Sequence, residues 1–263
     1  MPVESQSVDI VLVSPRNPLN IGAAARAMAN FGFAHLTVVN PYGPHWREAR
    51  SAVGAPELLR NAKSTECLAE AVADCTLVVG TGTLTHRKPE QKVIALPALA
   101  PLIQRELTRG GRIALVFGPE KHGLTREDLS WCQLLVEIPT DARQPSMNLG
   151  QAVAVCLYEL SSHRLRDQAE PSVSVSSLPS QVEGESKPAA PSRNLDLLAG
   201  VIEEAMRAAG YSPAAMQAAN RHDLRLLLRR LAPTQRDTRR MLGLFRRILW
   251  KLDHGPKRKP PVA

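Results

Sequence analysis

Short apolar runs alternating with helical stretches constrain this chain more than any other feature. Val8–Val13, His35–Val39, Thr76–Gly80, Arg112–Phe117 and Leu134–Ile138 have the length and apolar content of buried strands. Between and after them lie helical patterns near 21–32, 66–73, 97–109 and 124–131, and a longer one near 148–167. Such alternation predicts an α/β domain over residues 1–167, with a mostly parallel sheet covered by helices. In a sheet of that kind ligands bind outside the C-terminal ends of the strands. The segments that leave each strand are therefore where chemistry is expected.

Four of those segments carry candidate residues. The first strand runs into Asn17-Pro18-Leu19-Asn20-Ile21-Gly22, and Arg26 follows about one turn into a helix otherwise made of Ala, Met28 and Phe31. A guanidinium among such residues needs an anionic partner, from a carboxylate of the fold or a phosphate of a substrate. The second is Val79-Gly80-Thr81-Gly82-Thr83, followed by His86, Arg87 and Lys88. Its two glycines resemble part of a dinucleotide fingerprint, but the third glycine is missing. The third is Phe117-Gly118-Pro119-Glu120-Lys121-His122-Gly123-Leu124, where the glycines also suit a plain turn and Glu120 a solvated turn carboxylate or an ion pair with Arg26. The fourth is Ile138-Pro139-Thr140, leading to Ser146-Met147-Asn148-Leu149, with Ser146 a candidate helix N-cap.

Charge divides the chain differently. Residues 1–192 hold 18 Lys/Arg against 19 Asp/Glu, whereas residues 193–263 hold 15 against 6. All of the net +8 therefore sits in the last quarter, which suggests a polyanionic partner, nucleic acid before membrane. Between the two lies a Pro-, Ser-, Glu- and Ala-rich stretch, 168–192, read as a flexible linker. Residues 193–263 return to helical periodicity as a small basic extension. In its final helix, near 234–252, Met241, Leu242, Leu244, Phe245, Ile248, Leu249 and Leu252 fall on one side. Arg236, Arg239, Arg240, Arg246, Arg247 and Lys251 take the other, and Arg221, Arg225 and Arg229 form a second stripe at i, i+4 spacing. Cys67, Cys75, Cys132 and Cys156 are scattered without a C-x-x-C pair, so neither a metal site nor a disulfide framework is expected. No run approaches the ~18 apolar residues of a membrane span, and Met1–Ser7 lacks a secretory pattern. A cytoplasmic protein is expected.

Three ordered motifs give a resemblance. Asn20-Ile21-Gly22-Ala23-Ala24-Ala25-Arg26 reads N-x-G-x-x-x-R, Phe117–Leu124 reads F-G-x-E-x-x-G-L, and Ser146-Met147-Asn148-Leu149 reads S-x-N-L. On these the chain resembles the SPOUT superfamily of RNA methyltransferases, in its TrmH-like branch, across about residues 8–160. Within that branch it is most similar to enzymes that methylate the ribose of nucleotide 32, cytidine or uridine, in the tRNA anticodon loop. The resemblance implies a deep trefoil knot at the end of the parallel-sheet domain, a homodimer, and S-adenosylmethionine as methyl donor. It places donor contacts on Thr81, Gly82, Thr83, Gly118, Ile138, Ser146, Met147 and Asn148. It places catalysis on Arg26, Asn20, Glu120, Ser146 and Asn148, without a metal. With Arg26, the basic residues Arg225, Arg229, Arg239, Arg240 and Arg247 are then expected to meet tRNA. An arginine stays protonated below pH ~12, so Arg26 suits a phosphate clamp better than a general base. Alternatives are a ribosomal RNA or another tRNA position as substrate, an RNA-binding protein without catalysis, and a nicotinamide-dependent enzyme. The last lacks its glycine fingerprint after the first strand. Gly150, one turn into a helix, signals close packing against either a ligand or a neighbouring helix.

Overall fold

The computed structural model describes residues 7–83, 89–169 and 188–254. Most of the expected linker, the His86-Arg87-Lys88 run and the Lys257-Arg258-Lys259 tail lie outside those residues. Strands β1 (Val8–Val13), β2 (His35–Val39), β3 (Lys63–Thr65), β4 (Leu77–Thr81), β5 (Lys92–Ala95), β6 (Ile113–Phe117) and β7 (Leu134–Glu137) form one sheet. Every pairing is parallel, in the order β3-β2-β1-β6-β4-β7-β5. Central β1 and β6 are buried along their whole length, which is why they read as apolar runs, broken only by Asp9 of β1, which pairs with Arg112. Strands β3 and β5 are not among the five expected from the sequence. Both are edge strands with mostly exposed residues, so burial left no apolar pattern to find.

Helices α1 (Pro18–Phe31), α2 (Pro56–Arg60), α3 (Leu68–Ala71), α4 (Leu99–Thr108), α5 (Arg126–Ser130) and α6 (Leu149–Ala169) cover the two faces. On one face Ile21 and Met28 of α1, Leu99 and Ile103 of α4, and Val153 and Leu157 of α6 share a core with Ile10, Leu12, Leu115 and Phe117. On the other, Leu68 of α3 and Leu129 of α5 pack against Val11, Val78, Val116 and Leu135. Helix α1 starts three residues before the predicted position. The Asn17 side chain accepts from the Leu19 N–H, and Pro18 fits the first turn, where its missing N–H is no loss. Asn20 therefore stands on the helix rather than in a loop.

Gly150 settles as a packing glycine. A Cβ there would lie 2.6 Å from Ala23 Cβ, so α6 approaches α1 too closely for a side chain. The two helices run side by side in the same direction, with Asn20 beside Asn148 and Phe31 edge-on to Tyr158.

The extension comprises α7 (Ser192–Ala208), α8 (Gln217–Leu231) and α9 (Gln235–His254). Leu198, Ile202 and Leu228 form its small core, with Met241, Leu242 and Phe245 packed against it. Leu244, Ile248 and Leu252 share the expected apolar side of α9 but stay exposed, because that side is wider than the face α7 covers. The expected linker boundary at residue 192 moves toward the N-terminus. Ala190 and Ser192 are buried, and the Ser192 N–H donates to the Cys75 carbonyl at 3.0 Å.

Trp131, just after α5, fastens the extension to the sheet domain. The guanidinium of Arg225 lies 4.1 Å from its ring centroid and that of Arg229 4.7 Å. Arg229 also donates to the Trp131 carbonyl (3.0 Å), Ser192 Oγ (3.0 Å) and Asp196 (3.1 Å). Arg225 bonds Ser130 Oγ at 2.8 Å and pairs with Glu127. These contacts correct the expected RNA role of Arg229, whose side chain is 1% exposed. Arg225, at 11%, is likewise committed to the same junction.

Candidate active site

Three of the four sheet-edge segments line one cavity of about 290 Å³, and the first, leading into α1, is tied to its wall through Asn20. Because the strands are parallel, their C-terminal ends open on one edge, and the turns after β4, β6 and β7 converge there. Seven of the eight expected donor contacts line this cavity: Thr81, Gly82, Thr83, Gly118, Ile138, Ser146 and Met147. Glu120 lines it too. So do Pro119, Lys121, His122, Thr140, Pro145, Leu149 and Ala152, which sequence reasoning did not select. Their sequence signal is membership of the strand-end segments, of the S-x-N-L motif for Leu149, and of the helix after it for Ala152.

Hydroxyl groups here build the wall. Thr81 Oγ1 donates to the Val116 carbonyl at 3.0 Å, tying β4 to β6. Thr83 and Thr140 both donate to the Pro145 carbonyl, at 3.0 and 3.1 Å, which draws the segment before α6 over the turn after β4. At Gly118 an added Cβ would stand 2.3 Å from the Leu124 nitrogen, so the turn after β6 folds back on itself only with glycine there.

A hydrogen-bond chain joins the three motifs. The Glu120 carboxylate accepts from the Asn20 side-chain amide at 2.7 Å and from the Arg16 and Asn17 N–H groups at 3.1 and 3.3 Å. Asn20 Oδ1 accepts from Asn148 Nδ2 at 3.0 Å. Asn148 Oδ1 in turn accepts the Gly150 N–H at 2.9 Å and the Gln151 N–H at 3.4 Å. An acceptor-only carboxylate at one end and donor-only amides at the other fix the orientation of both asparagines. Asn148, not Ser146, is thus the N-cap of α6, and it does not itself line the cavity. Partial burial pushes the Glu120 carboxyl up, but the Asn20 amide and the backbone donors outweigh it and hold the group below its ordinary value. Glu120 is therefore an ionised anchor for the turn before α1.

Arg26 departs from expectation. It is exposed on α1 between buried Ala25 and Ala27, hydrated rather than buried, and does not line the cavity of its own chain. Nor does it pair with Glu120, whose oxygens face Asn20 and the Arg16–Asn17 backbone. Arg239, Arg240 and Arg247 are exposed on α9, and the Arg247 guanidinium lies 4.5 Å from the Trp250 ring centroid.

Residues 7–158 match the SpoU rRNA Methylase family. The chain belongs to that SpoU family. Its relatives include the tRNA (cytidine/uridine/adenosine-2'-O-)-methyltransferase TrmJ of Pseudomonas aeruginosa, 39% identical over 165 residues. That alignment covers 62% of this chain and spans 64% of the Pseudomonas protein, slightly under two thirds of its length. The tRNA (cytidine/uridine-2'-O-)-methyltransferase TrmJ of Escherichia coli K12 is 31% identical over 248 residues, covering 92% of this chain and 95% of that one. The crystal structure of TrmJ from Z. mobilis ZM4 superposes with a TM-score of 0.76 at 28% identity, covering 91% of this chain and 98% of that one. The last two likenesses run past the SpoU segment into the helical extension. This SpoU protein is accordingly a homologue of TrmJ tRNA 2'-O-methyltransferases along nearly its whole length. Among the described residues no helix is long and apolar enough to cross a membrane.

Proposed function

We propose that the protein transfers a methyl group from S-adenosylmethionine to the ribose 2'-oxygen of nucleotide 32, cytidine or uridine, in the tRNA anticodon loop in the cytoplasm. The likeness to TrmJ along 92% of the chain is the observation that carries this reading. The cavity suits the donor. Leu124, Ile138, Met147 and Leu149 offer apolar walls for a flat base, and Thr83, Ser146 and the turn backbones offer polar partners for ribose and amino-acid groups. Thr81, Gly82, Thr83, Gly118, Ile138, Ser146 and Met147 would hold it, with Asn148 bracing the wall. When bound, S-adenosylmethionine supplies a methyl group on a cationic sulfur and leaves as a neutral thioether.

What the chain must add is orientation of a weakly acidic hydroxyl. The planar guanidinium of Arg26 grips the phosphate beside the reacting ribose in a bidentate fork. Fixing that phosphate holds the 2'-oxygen in line, and the proton this hydroxyl sheds on methylation passes to solvent. Because Arg26 lies outside the cavity of its own chain, the site is completed in a homodimer, where α1 of one copy faces the cavity of the other. Exposed Leu19 on α1 and exposed Val155 and Tyr158 on α6 support an interface along these two helices. A trefoil knot accords with the strand order, in which β6 enters between β1 and β4, and β7 between β4 and β5. Exposed Arg239, Arg240 and Arg247 on α9 are the basic residues left to meet tRNA.

Mapping ribose methylation in tRNA from cells with and without this gene tests the reading. The 2'-O-methyl group at nucleotide 32 is expected to vanish in its absence. An unchanged tRNA map, or a loss confined to ribosomal RNA, would contradict it.

A further inference from the structure

A second hollow, of about 340 Å³, opens on the same edge of the sheet, beyond the ends of β1 and β2. Ser14, Arg16, Asn40, Pro41, Tyr42 and Gly43 line it. Ser14 (φ 45°) and Asn40 (φ 44°) both hold left-handed backbone, uncommon for side chains other than glycine. Hydrogen bonds keep them there: the Ser14 N–H donates to the Val39 carbonyl at 2.8 Å and the Asn40 N–H to the Thr65 carbonyl at 2.9 Å. The Tyr42 N–H donates to the Pro15 carbonyl at 3.3 Å. This framework holds the turn that carries the Tyr42 ring, which is 78% exposed. The Arg16 guanidinium makes no ion pair or hydrogen bond to a described residue, while its backbone N–H donates to Glu120 in the wall of the donor cavity. Arg16 thus joins the two hollows.

We propose that this second hollow binds a nucleotide of the RNA next to the one methylated, its base stacked on Tyr42 and its phosphate held by Arg16. The inference rests on the RNA-methylation reading above. An exposed ring on a braced turn offers a stacking platform at little entropic cost, and stacking tolerates any base. A free guanidinium beside that ring suits the phosphate that accompanies every base. Strained backbone collected at the rim of a substrate site is a recognised form of pre-organisation.

The test is steady-state methyl transfer to whole tRNA by the full chain, with wild type measured first. Without wild-type transfer the functional reading itself fails; the variants address only the hollow. Tyr42→Ala is expected to raise KM for tRNA roughly tenfold or more, the usual loss when one stacking ring is removed. Its kcat, its melting temperature and its S-adenosylmethionine affinity are expected to stay as in wild type, and Tyr42→Phe to restore KM. Arg16→Ala keeps the N–H that Glu120 holds and is expected to lower the salt slope of tRNA binding by about one. Unchanged KM in Tyr42→Ala, an equal rise in Tyr42→Phe, or an unchanged slope in Arg16→Ala would overturn the proposal.

Discussion

Arg26→Ala is expected to lower methyl transfer to tRNA by about a hundredfold or more, the usual loss when a substrate clamp no longer aligns the reacting atoms. S-adenosylmethionine affinity, read by calorimetry, is expected to stay at the wild-type value, because Arg26 is assigned to the RNA phosphate and the donor contacts to the residues that line the cavity. Arg26→Lys keeps the charge but not the planar fork, so it is expected to recover only part of the rate. The side chain is exposed, so its truncation opens no buried cavity, and Ala25 and Ala27 at its flanks keep their buried places. Melting should therefore be unaffected. Donor affinity lost while turnover stays high would show that Arg26 serves the donor rather than the RNA.

The second large effect concerns stability. Arg229→Ala removes the buried partner of a half-buried pair and takes from Asp196 and the Trp131 carbonyl the donor that Arg229 gives them. Breaking a fully buried pair costs about 3–5 kcal/mol, and the partial exposure of Asp196 puts this loss at the low end, about 3 kcal/mol. Denaturant unfolding followed through tryptophan fluorescence is expected to show that loss, with the extension released from α5. Arg229 Nη1 already lacks a partner among the described residues, and burial pushes the guanidinium pKa down, so the junction is not ideal as it stands. Replacing the pair together, Arg229→Met with Asp196→Leu, is expected to recover most of the stability, since apolar groups of similar volume often substitute for a buried ion pair. Arg239→Ala, on the exposed face of α9, is expected to leave unfolding unchanged and to weaken tRNA binding with a shallower salt slope. If Arg229→Ala unfolded like wild type yet bound tRNA with a reduced slope, its place in the junction would be wrong.

The contrast between Arg229 and Arg239 marks where the sequence stops being readable. Helical spacing sorts residues onto faces, and both arginines were sorted onto basic ones. Nothing local says that Trp131, nearly a hundred positions earlier, covers one of those faces. The same limit applies to Glu120, whose partner Asn20 is separated from it by a hundred residues. An ion pair with Arg26 was equally compatible with the sequence. By contrast, β1 and β6 are legible because burial on both faces leaves an apolar run, interrupted only by Asp9, and the cavity is legible because parallel strands all end on one edge. Ser146 and Asn148 are both good caps two residues apart, so only the bonds to Gly150 and Gln151 distinguish them. Edge strands β3 and β5 bury too little to leave a pattern.

The central claim is that strand-end turns hold S-adenosylmethionine beside an RNA ribose positioned by Arg26. Incubating the protein with tRNA and S-adenosylmethionine isotopically labelled in its methyl group, then locating the label by mass spectrometry of nuclease fragments, tests it most directly. The account expects the label in the 2'-O-methyl group of nucleotide 32. Label on a base, or tRNA left unlabelled by protein that binds the donor, would contradict it.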